Sequence, residues 1–236
     1  MTLVAEGADI LDLGAESSRP GAEPVGAAEE QSRLLPVLAE LRRQTQVPLT
    51  VDTTRAETAQ LCLDAGADGV NDITACTADP EMLAVAATND CGLVLMHMQG
   101  TPRTMQVNPS YGDVVCEVTA YLIQRAEAAI TAGVASERIL VDPGIGFGKT
   151  VAHNLALLAH LDRIGDGRPV LVGASRKSFI GALTGATVGQ RLGGSLAALS
   201  TAYQAGVKVV RVHDVFQTVQ FLETLAAIFA ARTSRS

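Results

Sequence analysis

Seven positions at the ends of apolar runs carry side chains that could do chemistry: Asp12, Asp52, Asn71, His97, Asp142, Arg211 and His213. A further cluster, Ser175-Arg176-Lys177-Ser178, follows the run PVLVG (169–173). Carboxylates accept paired N–H donors, and an asparagine amide both donates and accepts. That set suits the edge of a flat amino-pyrimidinone ring. Lys177 could donate to a ring carbonyl or ring nitrogen. Arg211, His213 and Arg176 could hold an anion through charge-assisted bonds of about 1.5–3 kcal/mol each. The chemistry suggested is therefore a heterocycle joined to a phosphate. Taken singly, each residue has a plainer use. A strand-end Asp often caps the next helix, and Asp214 is expected to do so. His97, between Met96 and Met98, reads as a core histidine, and His153 and His160 as helix-surface residues. Taken together the set resists that explanation, because burying unpaired charges costs several kcal/mol per group. No Ser–His–Asp or Cys–His order and no H-E-x-x-H spacing is present, so no all-protein zinc site is expected.

The stretch RILVDPGIGFGKT (138–150) links this chemistry to structure. It reads as a short strand ending in Asp142, followed by a glycine-rich loop that lets backbone approach a ligand closely. Two phosphate-binding motifs are excluded. A P-loop needs four residues before Gly148-Lys149-Thr150, which would put its first glycine where Pro143 stands. A dinucleotide fingerprint would need glycine where Lys149 stands.

The elements that must position these residues follow a rhythm. Helical stretches ending in Ala-x-Gly or similar lead into the apolar runs ILDLG (10–14), GVND (69–72), RILVD (138–142) and KVVRV (208–212), and further runs are PLTVD (48–52), GLVLMH (92–97) and PVLVG (169–173). Glycine stops a helix well, and short apolar runs separated by helices imply a parallel sheet buried on both faces. Leu34, Leu35, Leu38 and Leu41 recur at helical spacing. So do Val114, Val118, Tyr121 and Leu122, and again Val215, Val219, Leu222 and Leu225. Thr54 with Glu57 predicts a capping box, and Asp79-Pro80-Glu81 a helix start with Asp79 as N-cap. Seven strands fall one short of a (β/α)8 barrel, and the shortfall lies before ILDLG. No linker or low-complexity tract interrupts residues 1–236, so one domain is expected, with a frayed tail from Thr233 to Ser236.

Composition narrows the function. Hydrophobic residues make up 47% of the 236 and aromatics 3%, which predicts an aliphatic, Ala-rich core. The net charge of −7 argues against nonspecific nucleic-acid binding. Cys62, Cys76, Cys91 and Cys116 are scattered without C-x-x-C, which suits reduced thiols in the cytoplasm. No apolar stretch is long enough to span a membrane. Met1 to Gly7 carries Glu6 and no basic region, so no secretion signal is expected.

With these residues in view, the sequence resembles the dihydropteroate synthase family of pterin-binding barrels. The matching stretches are ESSRPGAEPV (16–25), VDTTRAE (51–57), VNDI (70–73), LMHMQGTPRTMQ (95–106), LVDPGIGFGKT (140–150), HNLALL (153–158), GASRKSFIG (173–181), RLGGSLAA (191–198) and RVHDV (211–215). They span nearly the whole chain in family order. The resemblance implies a (β/α)8 fold, a homodimer and Mg2+. It implies a reaction joining 4-aminobenzoate to 6-hydroxymethyl-7,8-dihydropterin diphosphate with loss of diphosphate. Carried over by motif, Asp52, Asn71, Asp142 and Lys177 would hold the pterin. Arg211 and His213 would bind the diphosphate, with Arg211 also covering the pterin face. Ser18, Arg19, Pro20, Phe147 and Ser178 would border the aminobenzoate pocket, where sulfonamides also bind in the family. Asp142, Lys177 and Arg211 would be the catalytic set.

The family's first strand and its Asn-Val-Thr-Pro-like loop, which supplies the asparagine that meets the metal, have no counterpart in this sequence. The expected consequence is two unpaired barrel edges, at ILDLG and KVVRV, and a chain of low stability or activity. Smaller departures are GAESS for GGEST, VDTTRAE for IDTYKAE and VNDITA for INDISG. Two other readings remain at this point: a methyltransferase domain passing a methyl group from a methylated folate to a corrinoid protein, and a non-catalytic pterin-binding paralogue. The first would not need the SRKSF and RVHD anion features.

Overall fold

A computed structural model describes residues 1–17 and 21–233. Each of the seven apolar runs supplies one strand: β1 (Leu11–Gly14), β2 (Leu49–Asp52), β3 (Gly69–Asp72), β4 (Gly92–Met96), β5 (Ile139–Asp142), β6 (Leu171–Val172) and β7 (Val209–Val210). Helices cover the connections: α1 (Thr2–Ala5), α2 (Ala27–Gln44), α3 (Ala56–Asp64), α4 (Met82–Thr88), α5 (Val114–Thr131), α6 (Val151–Ala159), α7 (Ser178–Thr184), α8 (Leu192–Gln204) and α9 (Val215–Thr233).

The strands run parallel. β1 to β5 form one sheet in chain order, β6 pairs with β7, and a bridge between Val141 and Val170 joins the two sheets. This is the α/β, β/α-barrel type of architecture, seven strands strong among the described residues. Parallel strands joined by helices all end on one rim, so every strand-end side chain comes to the same side. Among the described residues β7 does not pair with β1. The two are linked instead by side chains, Arg211 beyond β7 reaching Asp12 in β1 (Nε to Oδ2, 3.2 Å).

Aliphatic packing holds this frame, as the scarcity of aromatics predicts. Leu49, Val51, Val70, Leu93 and Ile139 of the strands pack on Leu34, Leu38, Ala59 and Ala86 of the helices. A second core joins Val141 and Val172 to Leu122, Leu157, Ala198 and Ala202. Alanines on the helix faces let the helices lie close to the sheet. A third, small cluster, Ile73, Met96, Met105 and Phe147, includes residues at and beyond the ends of β3, β4 and β5 and forms an apolar floor at that rim.

Two helix starts differ from the sequence expectation. The capping box of Thr54 and Glu57 does not form; α3 begins at Ala56, with Arg55 as N-cap. The carboxylate that accepts the Ala56 N–H is that of Asp79, at 2.8 Å. Its other oxygen accepts from the Glu81 N–H, at 3.1 Å, and α4 begins at Met82 with Glu81 as N-cap. One aspartate thus serves two helix starts that are distant in sequence, which local spacing cannot reveal. The leucine stripe of α2 and the valine stripe of α5 are as expected, with Leu34, Leu38, Val114, Val118 and Leu122 buried.

Candidate active site

The parallel register brings the predicted strand-end residues side by side. Gly14 pairs with Asp52, Asp52 with Asn71, and Met96 with Asp142. Asp52 and Asp142 are the last residues of their strands, and Arg211 follows β7 directly. Asn71 is 1% exposed, and neither its amide nitrogen nor its amide oxygen has a hydrogen-bond partner. An unpaired buried polar group costs about 1–3 kcal/mol, and such groups are uncommon in folded proteins. An amide offering one donor and one acceptor into a polar rim has the chemistry of a heterocycle's edge.

Asp142 is 2% exposed. One carboxylate oxygen accepts from the Gly144 N–H at 2.7 Å, and the other lies 4.0 Å from Arg211 Nη2. Burial raises its pKa; Arg211, the Gly144 bond, Lys177 and Lys149 oppose that rise. Burial also pushes Asp52 up to about 7, reinforced by the neighbouring Asp12 carboxylate and countered by Arg211. For Arg211 itself, burial favours the neutral form, but Asp12, Asp142 and Asp52 outweigh it and hold the guanidinium above its ordinary value. Arg211 Nη2 has no hydrogen-bond partner despite its burial. The rim therefore holds carboxylates and a cation that compensate one another only in part.

The glycine-rich loop after β5 is fixed by close backbone packing. Gly144 (φ +65°) and Gly148 (φ +62°) adopt left-handed backbone, and a Cβ on them would lie 2.0 Å from the His97 carbonyl oxygen and 2.5 Å from that of Gln99. Only glycine fits. This packing sets Phe147, which is 8% exposed, beneath Lys177, whose Nζ lies 4.1 Å from the ring centroid. Lys177 is the N-cap residue of α7, and Ser178, exposed, is its first residue. His213 is exposed; its N–H donates to Ser175 Oγ at 3.2 Å, and its Nδ1 lies 3.0 Å from the same oxygen.

Asp52, Asn71, Asp142, Phe147, Lys177, Ser178, Arg211 and His213 thus share one rim. Ser18, Arg19 and Pro20 lie outside the described residues. Arg176, which the sequence offered for an anion, is paired within the fold: both oxygens of Asp214 take its guanidinium, the Nε bond measuring 3.0 Å. Asp214 stands at the start of α9, its carbonyl accepting from the Thr218 N–H, but its carboxylate is spent on Arg176 rather than on the cap. His97 is a buried, satisfied histidine as expected. Its partner, Lys149, escaped sequence reasoning, which met that lysine only in excluding the P-loop and the dinucleotide fingerprint. Lys149 is 3% exposed; its Nζ lies 3.0 Å from His97 Nδ1 and donates to the carbonyls of Phe147 (2.9 Å) and His97 (3.4 Å). Burial lowers its pKa to about 7; Asp142 counters that shift and Lys177 adds to it. Burial and then Lys149 lower His97 to about 3. A lysine inside a glycine-rich turn at a strand end was the available signal.

Among the described residues no three His, Cys, Asp or Glu side chains come together as metal ligands. No described helix is long and apolar enough to cross a membrane.

Comparison with known proteins gives the family. The family model described as pterin binding enzyme matches residues 1–213. A dihydropteroate synthase of Synechocystis sp. is 44% identical over 230 residues, covering 97% of this chain and 80% of the relative. The structure of Xanthomonas albilineans dihydropteroate synthase with 4-aminobenzoic acid superposes with a TM-score of 0.92 at 46% identity, covering 97% of this chain and 82% of that one. The Burkholderia cenocepacia dihydropteroate synthase complexed with 7,8-dihydropteroate gives a TM-score of 0.92 at 46% identity, covering 99% and 86%. The chain belongs to the pterin-binding enzyme family.

Proposed function

We propose that this chain is a dihydropteroate synthase, a transferase that condenses 6-hydroxymethyl-7,8-dihydropterin diphosphate with 4-aminobenzoate to give 7,8-dihydropteroate and diphosphate. The observation that carries the reading is the Asn71 amide, buried with both polar atoms unpaired on the same rim as Asp52 and Asp142. In the proposed complex the three side chains meet the amino-pyrimidinone edge, and Lys177 donates to the ring. Arg211 covers the pterin face and, with His213, meets the diphosphate. Phe147 and Ser178 border the aminobenzoate, together with Ser18, Arg19 and Pro20.

The chemistry asks little of a base. The aryl amine attacks the pterin's methylene carbon, a C–N bond forms, the C–O bond to diphosphate breaks, and the amine's proton passes to solvent. The demanding event is departure of the diphosphate. Arg211 and His213 stabilise the charge left on the leaving group, and the carboxyl oxygens of Asp142 favour positive charge building at the methylene. Mg2+ belongs to the proposal as a counter-ion carried by the phosphate oxygens, a usual mode for this ion. A cytoplasmic homodimer completes it, supported by the free cysteines and by exposed Leu183, Val188 and Ile228. Sedimentation of the purified chain tests the dimer.

The direct test is to follow dihydropteroate formed by the purified chain from both substrates and Mg2+, with Asp142→Asn as control. Whatever turnover the chain shows, low if the unpaired barrel edges weaken it, should collapse in the variant; an active chain insensitive to Asp142→Asn would sink the assignment.

A further inference from the structure

Arg176 is the oddest residue of the rim. It is not glycine, yet its φ is +56°, a conformation that side chains with a Cβ rarely hold. Its polar groups are tied down from several directions. Its N–H donates to Ser195 Oγ at 3.0 Å, and its carbonyl accepts from Arg191 Nη1 at 3.0 Å. Its guanidinium forks onto Asp214, Nε to Oδ2 at 3.0 Å and Nη2 to Oδ1. The residue before it, Ser175, meets His213, the residue before Asp214, with Ser175 Oγ accepting the His213 N–H. Two successive residues of the loop after β6 are thus fastened to two successive residues after β7. Lys177 and Ser178 follow on one side of this fastening; Arg211 and His213 precede or join it on the other.

Building on the synthase reading, we infer that the Arg176–Asp214 pair is a positioning latch, which sets the loop of Lys177 and Ser178 at a fixed separation from the loop of Arg211 and His213 without itself touching the substrate. A charge neutralised by a forked carboxylate is a poor ligand for diphosphate. The pair is half-exposed, with side-chain exposures of 37% and 17%, so it is not part of the core. Its role is geometric: in the proposed complex Lys177 meets the pterin ring from one loop and Arg211 and His213 meet its diphosphate from the other, and groups that hold one molecule from two loops lose affinity when the loops drift apart, even by an ångström or so.

The test uses Asp214→Asn, Arg176→Gly, their combination, and Asp214→Glu. Glycine holds φ +56° without strain, so Arg176→Gly removes the latch while relieving the backbone. Inorganic diphosphate binding is measured by calorimetry, and KM for each substrate by steady-state turnover. Each single loss should weaken diphosphate binding and raise KM for the pterin diphosphate about 5- to 20-fold, with the double variant no worse than either. KM for 4-aminobenzoate, which only Ser178 of this loop borders, should rise less than KM for the pterin diphosphate, the melting temperature should stay near wild type, and Asp214→Glu should recover most of the loss. Tighter diphosphate binding in Asp214→Asn would mean that a released Arg176 is itself an anion ligand, and would overturn the latch. So would additive losses, or both KM values moving together with the melting temperature. A wild-type chain that binds diphosphate without turnover would remove the synthase reading while the binding shifts still decide the latch. Failure of the wild type to bind diphosphate at all would overturn both.

Discussion

Two buried polar clusters lie within this chain, and they are built to opposite rules. Around Glu30, which is 1% exposed, acceptors and donors are matched: Thr53 and Thr58 hydroxyls donate at 2.9 Å each, and Arg55 Nη1 at 3.0 Å. Arg55 also reaches Glu16 and the Val25 carbonyl. At the rim, Asn71 has no partner for either polar atom, Arg211 has one unpaired nitrogen, and Asp52 is pushed up to about 7. A closed network ties α2 to α3 and the end of β2. An open one leaves bonds to be completed by something else. Unsatisfied burial, rather than burial of charge as such, separates a binding site from a structural tie.

The comparison can be broken from either side. The largest effect is expected at the closed network. Glu30→Ala leaves two buried hydroxyls without their acceptor and takes one of three acceptors from the part-buried Arg55, and should destabilise the chain by about 1–3 kcal/mol for each orphaned hydroxyl in urea unfolding. A loss under about 1 kcal/mol would show that the network is not a structural tie. Next comes Asp142→Asn, which keeps shape and removes charge. Turnover should fall about 10²–10³-fold, with unfolding midpoints little changed. Asn71→Ala should weaken pterin binding about 10- to 100-fold, as two lost bonds imply, yet leave stability unchanged or raised, since the removed atoms were unpaired. Calorimetry with a pterin ligand and a thermal melt on the same sample check both halves. A large drop in melting temperature would mean that Asn71 has partners within the fold.

The smallest effect concerns pH. Asp52 binds its proton more tightly in the folded chain than in the unfolded one, so it opposes folding increasingly as pH rises from about 4 to about 7. A pterin donating N–H bonds needs the ionised form, so affinity should fall, at most about tenfold per unit, as pH drops below about 7. Asp52→Asn should flatten that dependence and be more heat-stable than wild type at pH 8. A pH-independent affinity in the wild type, measured by ligand fluorescence titration, would remove Asp52 from the pterin contacts.

Legibility in the sequence followed locality. The seven apolar runs became the seven strands, each within two or three residues, because alternation of short Val/Leu/Ile runs with helical stripes is a one-dimensional signal. Strand-end polar residues were legible as a group because parallel topology sends every strand's carboxyl end to the same rim. Less was legible wherever a side chain chose a distant partner. Asp79 serves two helix starts, Asp214 turns from its own helix to Arg176, and Lys149 finds His97 across 52 positions. Arg176 looked like a free cation because its neighbours in sequence are basic or polar.

The sequence by itself determined the residue types at the rim, the glycines that let Gly144 and Gly148 pack on backbone, and the order of strands and helices. Only the tertiary structure decided which of those polar groups are satisfied. Sequence records how many donors and acceptors a chain carries. Pairing depends on distances of about 3 Å between residues tens of positions apart, and on the exclusion of water around them. That is why Glu30, unremarked in the sequence, is a finished tie, while Asn71 stands buried with its amide open to a ligand.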